Sequence, residues 1–179
     1  MSDVLSAINE LPDEEIKTLI SEARKPEDLV KFLDFVGEEF YGDILASEHC
    51  DITCLKAMWG KFDIDSVNLY WIKELVAHQN VTQELMEDIC EKCKTNTSAF
   101  SAYLWGRAKS PNTTSKDLAK LWGALDDCPE YSHCRIKGLH LLILSNPNLR
   151  YEDVLSLDVS KEDDTILRMY EEILARVQN

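Results

Sequence analysis

Glycine and proline are scarce in this chain, six and five among 179 residues. So few glycines leave little material for a loop that cradles phosphate, and no Gly-rich nucleotide motif occurs. HExxH, Gly-x-Ser-x-Gly and the EF-hand loop are missing as well. Adjacent carboxylates such as Glu14-Glu15 and Glu38-Glu39 point about 100° apart on a helix, so they do not face each other as an acid–base pair would. No catalytic residue is expected. Long apolar runs are lacking: the stretch from Leu139 to Leu144 is interrupted by His140, far short of the ~18 residues of a membrane span. The first fifteen residues have neither a basic n-region nor an apolar h-region, so no signal peptide is expected. A cytoplasmic protein with reduced thiols follows as an expectation.

Positive charge is also in short supply. Lys and Arg number 19 against 33 Asp and Glu, a net of −14. The excess is uneven: residues 1–48 hold 13 acidic and 4 basic side chains, 49–125 hold 9 of each, and 126–179 hold 11 and 6. Phosphate backbones and anionic lipid would repel such a chain, so direct nucleic-acid and membrane binding are not expected. A protein with a basic surface is the expected partner. The candidate binding residues are Asp34, Glu38, Glu39 and Asp43: on a helix 34 and 38 stand one turn apart with 39 and 43 beside them, which makes a ridge of carboxylates.

What the chain does contain is helix starts. Asn80-Val81-Thr82, Asn96-Thr97-Ser98 and Asn112-Thr113-Thr114 each match the Asn-x-Ser/Thr glycosylation triplet, and they fall sixteen residues apart. Each precedes a run of apolar residues at helical spacing, such as Leu118, Leu121, Trp122 and Leu125. A Ser or Thr there accepts a hydrogen bond from a free N–H of the first turn, so Thr82, Thr97 or Ser98, and Thr114 read as caps rather than as part of glycan acceptors. Further starts are expected at Asp13, Pro26, Thr53, Asp65-Ser66, Pro129, Arg150 and Ser160. The Asp65-Ser66 helix would carry Val67, Tyr70, Trp71 and Leu75 on one stripe. The fold class is all-α.

The starts recur in pairs. Thr53, Thr82, Thr114 and Arg150 each follow an apolar helix end and a short turn, at separations of 29, 32 and 36 residues. A period near that length marks a two-helix unit that must stack on its neighbours to bury its apolar face. Trp59-Gly60, Trp105-Gly106 and Trp122-Gly123 add a large anchor beside a residue that permits close helix approach. The expected architecture is one domain over 1–179: acidic N-terminal helices over 1–44, repeat pairs over 45–157 and a capping helix over 158–179.

The turns Ala108-Lys109-Ser110-Pro111-Asn112-Thr113-Thr114 and Leu144-Ser145-Asn146-Pro147-Asn148 resemble the Ala-x-Asn-Pro-x-Thr turn of leucine-rich-repeat-variant and related HEAT-like α-solenoids. That resemblance spans about residues 45–157. It implies a small right-handed superhelical scaffold with a concave binding face, and it implies no catalytic residues.

Two other readings compete with a scaffold for a basic partner. One is an acidic inhibitor that imitates nucleic acid in an enzyme's cleft, of the kind found among virus-encoded counter-defence factors. The other is a zinc-stabilised regulatory domain, with Cys90 and Cys93 joined by Cys50 and Cys54, or by Cys128, His133 and Cys134. Cys90 and Cys93 share the stripe of Met86 and Ile89, so core packing accounts for them and no metal or cofactor is expected.

Overall fold

The computed structural model describes residues 8–126, 133–160 and 162–177. Among these every regular element is helical. The α-helices are α1 (Asp13–Glu22), α2 (Pro26–Phe32), α3 (Tyr41–Ala46), α4 (Ile52–Lys61), α5 (Leu69–Ala77), α6 (Gln83–Cys93), α7 (Thr97–Lys109), α8 (Ser115–Asp126), α9 (His133–Ser145), α10 (Tyr151–Val154) and α11 (Asp164–Val177). Single 3-10 turns cover Ile8–Glu10 and Glu38–Phe40. The helix start expected at Pro129 lies outside the described residues.

Short polar side chains begin the middle helices. The Thr82 hydroxyl accepts from Leu85 N, and the Thr114 hydroxyl accepts from Asp117 N, as the spacing predicts. Elsewhere the cap lies one to three residues from the expected position. Asn96 rather than Thr97 or Ser98 accepts from Ser98 N and Ala99 N, and Asp51 rather than Thr53 accepts from Thr53 N and Cys54 N. Asn68 starts α5, and Asp163 rather than Ser160 accepts from Thr165 N and Ile166 N. Where an Asx side chain is close, its carbonyl or carboxylate satisfies the free N–H groups and outcompetes the hydroxyl. The late start of α5 also rotates its faces. Ile72, Leu75 and Val76 point inward, while Tyr70 is 52% exposed and does not join the buried stripe.

Alternate helices lie against each other: α1 on α3, α3 on α5, α5 on α7, α7 on α9 and α9 on α11, with α2 on α4 and α8 on α10 beside them. One apolar core runs from Ile8 to Ile166. The α5–α7 contact is the most extensive, and Gly106 explains why. A Cβ there would stand 2.6 Å from the Val76 Cβ and 2.8 Å from the Lys73 carbonyl oxygen. The expectation for the other Trp-Gly pairs fails, because Gly60 and Gly123 have nothing within 4 Å of such an atom.

The turns are joined by asparagine amides. Asn80 Nδ2 donates to Cys50 O at 2.7 Å, and Asn112 Nδ2 donates to Gln79 O and Val81 O at 2.6 and 3.0 Å. Asn146 Nδ2 donates to Ala108 O and Ser110 O, and Asn148 Nδ2 to Pro111 O and Thr113 O. At the opposite helix ends, Asn96 Nδ2 reaches Ile64 O at 3.5 Å. The nitrogens of all three triplets therefore hold one turn to another some thirty residues earlier. A glycan attached through that same nitrogen would leave it a single N–H, so Asn112 would lose one of its two bonds.

Candidate functional site

The four candidate carboxylates do not form a ridge on one helix. α2 ends at Phe32, Asp34 stands in the following turn, and Gly37 is extended with φ −81° and ψ 179°. Glu38 and Glu39 begin the 3-10 turn, and Asp43 lies in the first turn of α3. A continuous helix would put Asp34 and Glu38 one turn apart as like charges. Breaking it at Gly37 instead places three carboxylates at the start of new helical segments, where the unpaired N–H groups favour negative charge.

Asp34, Glu38 and Glu39 are exposed and Asp43 is half-buried. Asp34 is paired with Lys61 at 2.7 Å. Glu38, Glu39 and Asp43 make no ion pair among the described residues. Behind them lies an aromatic cluster. Tyr41 stacks on Phe62 at 5.9 Å and meets Trp71 edge-on at 5.7 Å, and Trp71 meets Tyr70 at 4.9 Å. Burial, with the negative charge of Glu38, pushes the Tyr41 phenol up.

Beside this cluster, α3 and α5 leave an open groove of about 310 Å³. Gly42, Leu45 and Ala46 form one wall, and Tyr70, Trp71 and Glu74 the other. His78 Nε2 lies 3.0 Å from Leu45 O and closes one end, and burial lowers its pKa. Lys109 reaches the rim but is held by Glu74 at 3.2 Å. No motif marks this groove in the sequence. The only available signal is two adjacent aromatics, Tyr70 and Trp71, that cannot both face the interior of one helix.

The cysteines fall into two separate places. Cys50 and Cys54 are buried beside each other, and the Cys54 thiol donates to Pro26 O at 3.3 Å, fastening α4 to the start of α2. The hydrogen bond to Cys54 and burial hold the Cys50 thiol well above its ordinary value. In α6, Cys93 is buried with Met86 and Ile89, and burial pushes its thiol up to about 12, while Cys90 is half-buried. Among the described residues no three His, Cys, Asp or Glu side chains gather as a metal would require. Cys128 and the side chains of His133 and Cys134 lie outside the described residues.

His140 is a buried residue that no sequence pattern singled out. Its ring stacks on Trp122 at 3.8 Å, and Nδ1 is 2.8 Å from Glu162 Oε1. Trp122 Nε1 donates to Asp158 O, and Lys137 pairs with Asp163 at 2.6 Å. Together they fasten the segment that precedes α11. No helix among the described residues is long and apolar enough to cross a membrane. Comparison with protein-family models, with curated proteins and with solved structures finds no match.

Proposed function

We propose that the protein is a non-catalytic binding module of the cytoplasm: a right-handed α-solenoid of stacked helix pairs that docks a basic partner protein on its acidic N-terminal third. The observation that carries this reading is the asparagine ladder. Side-chain bonds that join each turn to one 30 to 38 residues away are what a stack of two-helix units needs. In such a stack α4, α6, α8 and α10 follow the laddered turns and line the concave face, as the resemblance to variant repeats implies. The acidic end supplies direction. Glu38 and Glu39 are exposed, and unpaired among the described residues, on a segment of net charge −9, which attracts cations over ~8 Å at physiological salt.

The test is capture from cell lysate with three proteins: wild type, Asp34→Lys/Glu38→Lys/Glu39→Lys, and a control Glu84→Lys/Glu87→Lys/Glu91→Lys in the charge-balanced middle. A basic partner retained by wild type and control but lost by the first variant supports the reading. Equal loss from both variants, or a partner indifferent to salt, removes the acidic surface as its basis. A captured nuclease or polymerase would assign nucleic-acid mimicry instead.

A further inference from the structure

The groove between α3 and α5 lies on the acidic N-terminal third, and its wall residue Gly42 is the chain neighbour of Asp43. Tyr41 links Glu38 and Glu39 to the Trp71 ring. Its aromatic wall is also unlike the other tryptophan sites. Lys92 lies over the Trp59 ring at 5.0 Å, Lys73 lies over Trp105 at 5.4 Å, and the His140 ring covers Trp122. Trp71 meets the Tyr41 and Tyr70 rings and lines the groove, and no cation lies over it among the described residues. Tyr70, 52% exposed, continues that surface into solvent. A cation gains most over an aromatic face where carboxylates lower the cost of bringing it there.

We propose that this groove receives a basic amphipathic segment of the partner protein. One apolar side chain of the segment fills the space over Trp71 and Gly42. A neighbouring Lys or Arg lies against the Tyr70 ring, and others meet Asp43, Glu38 and Glu39. The proposal rests on the acidic docking reading above and gives the partner its chemistry: alternating apolar and cationic residues. The groove suits this occupant on two counts. Its volume of about 310 Å³ accommodates a side chain or two, at the low end of ligand sites. Its one rim cation, Lys109, is already paired with Glu74 and so does not repel the segment.

The probe is a ten-residue peptide alternating leucine and lysine, with two controls, one with glutamate for lysine and one with serine for leucine. Binding is followed through the indole N–H resonance of Trp71, assigned with Trp71→Phe, and by calorimetry. The Leu/Lys peptide is expected to shift that resonance, and Tyr70→Ser to weaken binding about tenfold with an unchanged melting temperature. Either control peptide binding as tightly, or Tyr70→Ser leaving the affinity unchanged, overturns the proposal. Affinity that falls in Asp34→Lys/Glu38→Lys/Glu39→Lys but not in Tyr70→Ser removes the groove and leaves the acidic surface standing. A Trp71 resonance that moves with protein concentration alone assigns the groove to a second copy. No binding of the Leu/Lys peptide at millimolar concentration overturns the groove proposal, while the acidic docking surface stands or falls with the capture experiment above.

Discussion

The first three helices and the five that follow them solve the same problem by different chemistry. Each helix start leaves unpaired N–H groups that something must satisfy. In α4 to α8 a side chain does so by a hydrogen bond, from Asp51, Asn68, Thr82, Asn96 and Thr114. In α1 to α3 the residues before the helix are Pro12, Lys25 and Phe40, and none makes a side-chain cap bond. Those helices instead crowd acids into the first turn: Asp13, Glu14 and Glu15, then Glu27 and Asp28, then Asp43. Much of the acidity of the N-terminal third therefore answers to helix dipoles. Glu38 and Glu39 serve in that way as well, but they remain exposed and make no ion pair among the described residues, so they are also available to a partner. The middle is joined by close packing and turn amides, and the N-terminal third is held by a core and by charge.

The sharpest way to break the middle is at Gly106. Gly106→Ala puts a Cβ into Val76 and the Lys73 carbonyl, and backbone cannot swing aside as a side-chain tip can. A loss of about 3 kcal/mol is expected. Gly123→Ala, inside α8 with open space around it, should instead gain ~1 kcal/mol from helix propensity. Urea denaturation measures both. No loss at Gly106 would contradict the close α5–α7 contact, and a loss at Gly123 would contradict the open space beside α8.

Next comes the ladder. Asn146 is buried, and its amide bonds two carbonyls while its oxygen accepts from Asn148 N. Asn146→Ala strands those groups away from water, which should cost about 2 kcal/mol. Asn148→Ala, at a less buried position of the same turn, should cost about 1 kcal/mol. Amide exchange at residues 108–115 should quicken in both variants. If protection there is unchanged, the turns do not depend on one another.

Helical class and the approximate helix starts were legible in the sequence, because apolar spacing and turn residues are local signals. Thr82 and Thr114 cap where the spacing puts them. Errors of register arose where an Asx residue lies next to a hydroxyl, as at Asn96 and Asp51, since propensity alone does not rank two adjacent caps. The ladder was hidden behind its own motif: Asn112 reads as a turn former, and its cross-turn bonds exist only once turn rests on turn. The carboxylate ridge was misjudged because α2 ends at Phe32 and the backbone is extended at Gly37 before Glu38 begins a new turn. Tyr70 was placed in the core because the true start of α5 lies three residues beyond Asp65-Ser66. Of the three Trp-Gly pairs only Trp105-Gly106 marks a close approach, a difference set by which face of the helix meets a neighbour.

The smallest effect separates the two capping chemistries most cleanly. Thr114→Ala removes a hydrogen-bonded cap and should cost ~1 kcal/mol. Glu15→Gln combined with Glu27→Gln removes two exposed first-turn charges, neither in an ion pair among the described residues, and should cost somewhat less than ~1 kcal/mol at low salt. The two losses should diverge as salt is added. At 1 M the screening length falls to ~3 Å, which removes most of the charge–dipole term but leaves a hydroxyl-to-amide bond intact. Screening also relieves the self-repulsion of a chain of net charge −14, so absolute stability rises with salt in every variant and only differences from wild type are informative. The expected result is a Thr114→Ala difference that stays constant and a Glu15→Gln/Glu27→Gln difference that shrinks toward zero. Were the glutamate loss to persist at high salt, those residues would be acting through packing or hydrogen bonds. The acidity of the N-terminal third would then lose its structural explanation and stand as a binding feature alone.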